Sequence, residues 1–93
     1  MEVINSEFSR QFQTRVNQEI AFVEYSIQER KIFFTKVYIP ESVDETFSDD
    51  FFKAVLESIA PRKLRVVPTC SEATAFFRRN KEYKEFLPAG IRI

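Results

Sequence analysis

The amino-acid sequence predicts an α/β (α+β) fold on a mixed sheet, with element order β-β-β-α-β-α and an antiparallel meander followed by a parallel crossover. Three observations predict it. Three consecutive stretches, 8–16, 20–27 and 32–39, are rich in β-branched and aromatic residues and are joined by short polar turns. Phe51, Phe52, Val55, Leu56 and Ile59 then recur at helical spacing. A short apolar run, Leu64 to Val67, follows that helix and leads into a second one.

Each element has a local cause. Phe8, Phe12 and Val16 share one parity among polar neighbours, as in a strand with one buried face. Asn17 and Gln18 read as a tight turn, Asn tolerating positive φ. In the second strand Ala21, Val23, Tyr25 and Ile27 share a face, and Gln28 to Lys31 turns the chain into the third strand, Ile32 to Ile39. Pro40 to Asp50 is a polar loop holding five carboxylates and no basic residue. Ser48 or Asp49 offers a side-chain oxygen to cap the helix that follows, and Pro61 ends it. Leu64 to Val67 reads as a buried strand without a wet face. Ser71 is placed to cap a second helix with Ala73, Ala75, Phe76 and Phe77, and a last turn from Glu82 to Leu87 stops at Pro88. The helix between the third and fourth strands makes those two strands parallel, with right-handed connection.

Composition sets the limits. Ninety-three residues suit one domain, 1–93, with one core, and eleven Phe fill it with rings. Fourteen basic and fourteen acidic side chains balance, which argues against a general nucleic-acid binder. There is no His and one Cys, so no conventional metal site, Ser-His-Asp system or His general base can be assembled. The single Gly excludes a P-loop and a dinucleotide fingerprint. The start of the chain lacks a basic stretch followed by an apolar run, and no apolar stretch is long enough to span a membrane, so a cytoplasmic location is expected.

Ligands of open α/β sheets bind beyond the carboxyl ends of parallel strands, beside helix N-termini. Here that rim is Ile39 to Ser48 on one side and Pro68 to Ser71 on the other, and Cys70 lies on it.

The pieces AFVEY (21–25), IFFTKVYIP (32–40) and LRVVPTCSEATAFFRRNKEY (64–83) give this order of motifs a family character. A buried strand ending in V-P-x-C, followed by a helix with F-x-R-R-N-x-E-Y, resembles the small, minimal GNAT-like N-acetyltransferases of single-domain size. The resemblance runs over most of the chain after about residue 8. It implies a GNAT-like fold, acetyl-coenzyme A as cofactor, and transfer by direct attack of an unidentified amine on the thioester. By position it implies cofactor contacts from Val37, Tyr38, Ile39, Val43, Asp44, Glu45, Thr46, Phe47 and Ser48, and places Cys70 near the acetyl end. Where the family has a glycine-containing loop whose amides hold the pyrophosphate, this chain reads SVDETFSDDF. Asp44, Glu45, Asp49 and Asp50 crowd that place. One carboxylate about 5 Å from a phosphate charge costs about 1 kcal/mol in water and about 3 kcal/mol at an effective dielectric near 20. Binding of coenzyme A is therefore expected to be weak or absent.

Each candidate has a plainer alternative. Cys70 is either a thiolate favoured by a helix N-terminus or a small core residue. Glu24 and Tyr25 are candidates for proton acceptor and donor, but neighbouring strand residues point to opposite faces, so at most one serves a given cleft. Arg62, Lys63, Arg65, Arg78, Arg79, Lys81 and Lys84 form two basic clusters, suited to a phosphate or an acidic partner, or simply solvated. The acidic loop suits a polyamine or basic peptide, or only caps a helix. Two functions lead: an acetyltransferase, or a binding module on the same fold that has lost coenzyme A and takes a protein or small ligand; nucleic-acid binding through the basic clusters is a weaker third, with net charge zero and no recognition motif.

Overall fold

The computed structural model describes residues 1–91 and 93. Five strands, β1 (Ile4–Ser6), β2 (Gln11–Val16), β3 (Glu19–Gln28), β4 (Lys31–Tyr38) and β5 (Arg65–Pro68), lie side by side in sequence order. The first four are antiparallel; β4 and β5 are parallel, joined by helix α1 (Glu45–Ile59). Helix α2 (Ser71–Arg79) and a 3₁₀ segment, Lys81–Phe86, complete the chain. This is the mixed sheet, meander and crossover that the sequence predicts.

Several details differ. An N-terminal strand, β1, precedes the meander; at three residues it is too short to show a period. Phe8 is not a strand residue: it sits in the turn between β1 and β2, fully exposed. Ile27, near the end of β3, is 40% exposed although Ile32 opposite it is buried. The loop after Pro40 is shorter than expected, since α1 begins at Glu45 and is capped by Asp44 rather than by Ser48 or Asp49. Strand β5 exposes Arg65, as an edge strand can, and its Pro68 needs no ladder donor there. Cys70, not Ser71, occupies the N-cap of α2, without a side-chain capping bond.

Both tight hairpin turns use left-handed residues. Asn17 and Gln18 have φ of 49° and 65°, and Glu29 and Arg30 of 50° and 66°. Mirror-image turns match the twist of the flanking strands, so the two hairpins keep this geometry without glycine.

One sheet face is covered. Phe12, Ala21, Val23, Tyr25, Ile32, Phe34 and Val66 meet Phe51, Phe52, Val55, Leu56 and Ile59 of α1 and Ala73, Phe76 and Phe77 of α2 in one cluster. The rings carry the packing: Phe34 to Phe52 at 6.5 Å and Phe52 to Phe76 at 5.1 Å between centroids. In β4 the inward rhythm breaks. Phe34 faces Tyr25 and Lys36 faces Glu24, leaving Thr35 out of the ladder register, its hydroxyl donating to the Glu24 carbonyl at 3.3 Å. This bulge lets Phe34 and Val37 both serve the covered face, three residues apart instead of two.

Candidate functional site

The sheet opens between β4 and β5. Their ladder runs from Lys31 opposite Arg65 to Phe34 opposite Pro68 and stops. Thr69 closes it, its amide and hydroxyl both donating to the Phe34 carbonyl at 3.2 and 2.8 Å. Beyond that point β4 continues from Thr35 to Tyr38, while the other chain turns away into α2. The result is a fork with Thr35–Tyr38 on one arm and Thr69 and Cys70 on the other, at the carboxyl ends of parallel strands.

The N-terminus of α1 follows β4 after a short loop that passes the β2–β3 turn, where the Asn17 side chain donates to the Ser42 hydroxyl at 3.3 Å. Helix-start amides are natural anion donors, because they lack intrahelical acceptors and carry the positive end of the helix dipole. Here the Asp44 carboxylate takes that role, accepting from the Phe47 amide at 3.0 Å. The Asp44 carbonyl accepts from the Ser48 amide at 3.3 Å. Phe47 is not free for a ligand either, as its ring lies 6.3 Å from Phe51 and packs on the core. Val43 and Ser48 are half-buried; Glu45 and Thr46 are exposed.

The neighbouring carboxylates are also engaged. Asp49 pairs with Arg79 at 2.6 Å and accepts from Asn80 at 3.4 Å, and Glu45 approaches Arg79 at 3.2 Å. Partial burial works to raise the Asp49 pKa, but the hydrogen bonds from Arg79 and Asn80 and the charges of Arg79 and Lys53 outweigh it, holding the carboxyl below its ordinary value. Asn80, buried, also donates to the Phe76 carbonyl at 3.0 Å. These bonds tie the first turns of α1 to the end of α2. Arg79, a candidate phosphate ligand in the sequence, is thus held by the chain's own acids.

Cys70 is half-buried on the other arm. Burial pushes its thiol above the ordinary value, with Glu72 adding to this and the amides of Ala73, Cys70 and Glu72 only partly offsetting it. The helix start thus only partly offsets the effect of burial on this thiol. Glu24 and Tyr25 point to opposite faces. The Tyr25 hydroxyl is buried with its ring and donates to Asn5 Oδ1 of β1 at 2.7 Å, away from the fork. Glu24 lies on the uncovered face and accepts from Gln11 at 3.3 Å. Val37 and Ile39 pack against the core. Tyr38 is exposed and donates to Glu19 at 3.0 Å; that bond, with slight desolvation and the charges of Glu19 and Glu41, raises its phenol pKa.

Sequence reasoning missed Asp44 as the cap and the clasp of Arg79 with Asp49, Glu45 and Asn80. The first had a signal: Asp44 followed directly by Glu45 at the head of the helix is a helix-start pattern. The second joins residues thirty apart and had none.

Pyrophosphate needs free, converging amides and a tolerable field. At the α1 start one amide, that of Phe47, is already bonded to the Asp44 carboxylate, and the surroundings are acidic. Among the described residues no helix is long and apolar enough to cross a membrane. No curated protein matches the chain. The model of a family described as GCN5-related N-acetyl-transferase matches residues 11–86, which take in the meander, the fork, both helices and the clasp. Fold and match agree, and the chain belongs to this GCN5-related N-acetyltransferase family.

Proposed function

We propose that this chain is a binding domain on the acetyltransferase frame, with weak or no affinity for coenzyme A. The observation that carries the reading is the Asp44 carboxylate on the Phe47 amide, an internal anion where the resemblance to the family implies a pyrophosphate. Glu45 and Asp49 support it by holding Arg79. Entry of a pyrophosphate would have to displace Asp44 and meet these charges at close range. Calorimetric titration of acetyl-coenzyme A tests the reading: no saturable heat is expected up to millimolar ligand. Dissociation constants in the low micromolar range would overturn it.

A second reading, acetyl transfer to a small amine, is favoured by the open fork with Cys70 at its mouth. Release of free thiol from acetyl-coenzyme A, stimulated by one member of an amine panel and lost in a variant that fills the fork, would establish it. The acidic residues 41–50 favour a polyamine or a basic peptide as acceptor.

A further inference from the structure

Zero net charge conceals an uneven distribution. At the end of the sheet opposite the fork, the β3–β4 turn and the start of β5 converge, the Arg65 amide donating to the Arg30 carbonyl at 3.0 Å and Lys31 lying opposite Arg65 in the ladder. This brings Arg30 and Lys31, which are distant in sequence, beside Arg62, Lys63 and Arg65. All five are exposed. Among the described residues both ion pairs belong to Arg79, so none of the five is paired with a carboxylate. The acidic residues nearby are Glu29 of the β3–β4 turn and Glu85 of the 3₁₀ segment Lys81–Phe86.

Next to the cations is an open cleft of about 440 Å³ lined by Ala60, Lys63, Leu64, Arg65, Glu85 and Phe86. Its apolar side chains are half-buried in the case of Leu64 and Phe86, and the Phe86 ring is stacked at 6.1 Å on Tyr83. Arg65 is braced over the cleft by donating to the Glu85 carbonyl.

We propose that this basic end is a docking site for a short acidic peptide segment that carries an apolar side chain. The side chain seats on Leu64 and Phe86, and its flanking carboxylates meet Arg30, Lys31 and Lys63. Charge complementarity and the apolar floor together select this occupant. A nucleic-acid backbone would use the cations alone and leave the apolar floor of Leu64 and Phe86 uncovered. The site lies at the opposite end from the fork and stands whether or not coenzyme A binds there.

Two of the cations permit a clean test. Arg30 and Lys63 have φ of 66° and 56°, a region where glycine is more comfortable than any side chain. The double variant R30G/K63G removes two charges while easing the backbone, so lost binding cannot be ascribed to unfolding. The probe is a fluorescein-labelled peptide with two Leu among Glu and Ser residues, followed by anisotropy at low and high salt. Saturable binding is expected, weakened about tenfold in R30G/K63G, weakened several-fold when the peptide Leu are replaced by Ser, and unchanged in R78A on α2. Absence of binding, equal loss in R78A, or indifference to R30G/K63G overturns the proposal. So does tighter binding of single-stranded DNA or of vesicles rich in phosphatidylserine.

Discussion

The two ends of the sheet handle charge in opposite ways. At the start of α1, acids are concentrated and mostly consumed: Asp44 on an amide, Asp49 and Glu45 on Arg79. At the other end, five cations are concentrated and left without carboxylate partners among the described residues. The contrast separates charge that holds a fold from charge that is available to a partner. Composition alone reports only their sum.

Both ends hang on the same aromatic core, and the largest effect should come from there. Phe52→Ala removes a fully buried ring between Phe34 and Phe76, and a loss of about 3–5 kcal/mol is expected in chemical denaturation. A cost below 1 kcal/mol would mean the helices do not pack on the sheet as described.

The clasp comes next. Asp49→Ala should cost about 1–2 kcal/mol, because a partly buried charged hydrogen bond is lost and Arg79 keeps only Glu45. A pH series sharpens it. The folded-state pKa of Asp49 is depressed, so its stabilisation is present above the unfolded value near 3.8 and is lost as pH falls through the folded value. Asp49→Asn should therefore flatten the acid limb of the stability curve below about pH 4. An unchanged limb would show that the clasp is not formed in solution.

Smaller effects separate cap from charge. Asp44→Ala should destabilise by about 1 kcal/mol, whereas Asp44→Asn, which preserves the capping oxygen, should cost a few tenths. Equal losses would assign the effect to charge. At the other end Arg30→Gly should stabilise by about 0.5–1 kcal/mol, read as a higher midpoint of thermal unfolding. Cys70 gives the kinetic check: its thiol should react with iodoacetamide more slowly than a free thiol at neutral pH, and faster reaction would restore the activated reading.

The meander, both helices and the parallel pair were legible because alternation, helical spacing and crossover geometry are local or nearly local signals. Cys70 lies just past β5, at the N-cap of α2, but its titration was not legible, since burial depends on what packs around it. Asp44 was passed over because Ser48 and Asp49 lie nearer the apolar stripe that marks α1. Arg30 and Lys31 escaped the basic clusters for a similar reason: only the β4–β5 ladder brings them beside Arg65. The Arg79 clasp likewise exists only once α1 and α2 share a sheet face.

Thr35 carries a consequence out of proportion to its size. Counting along β4, the residues from Ile32 to Tyr38 are one too many for the ladder on β3, and the surplus falls where β5 leaves. A bulge bends its strand and increases the twist, so the parting of β4 from β5 begins as an arithmetic mismatch between neighbouring strands. Deleting Thr35 would leave Phe34 opposite Tyr25 and Lys36 opposite Glu24 in an unbroken ladder, with the same residues facing inward. What would go is the bend. The straightened strand could then run on beside the chain after Pro68, and the opening would close like a zip with its missing tooth removed.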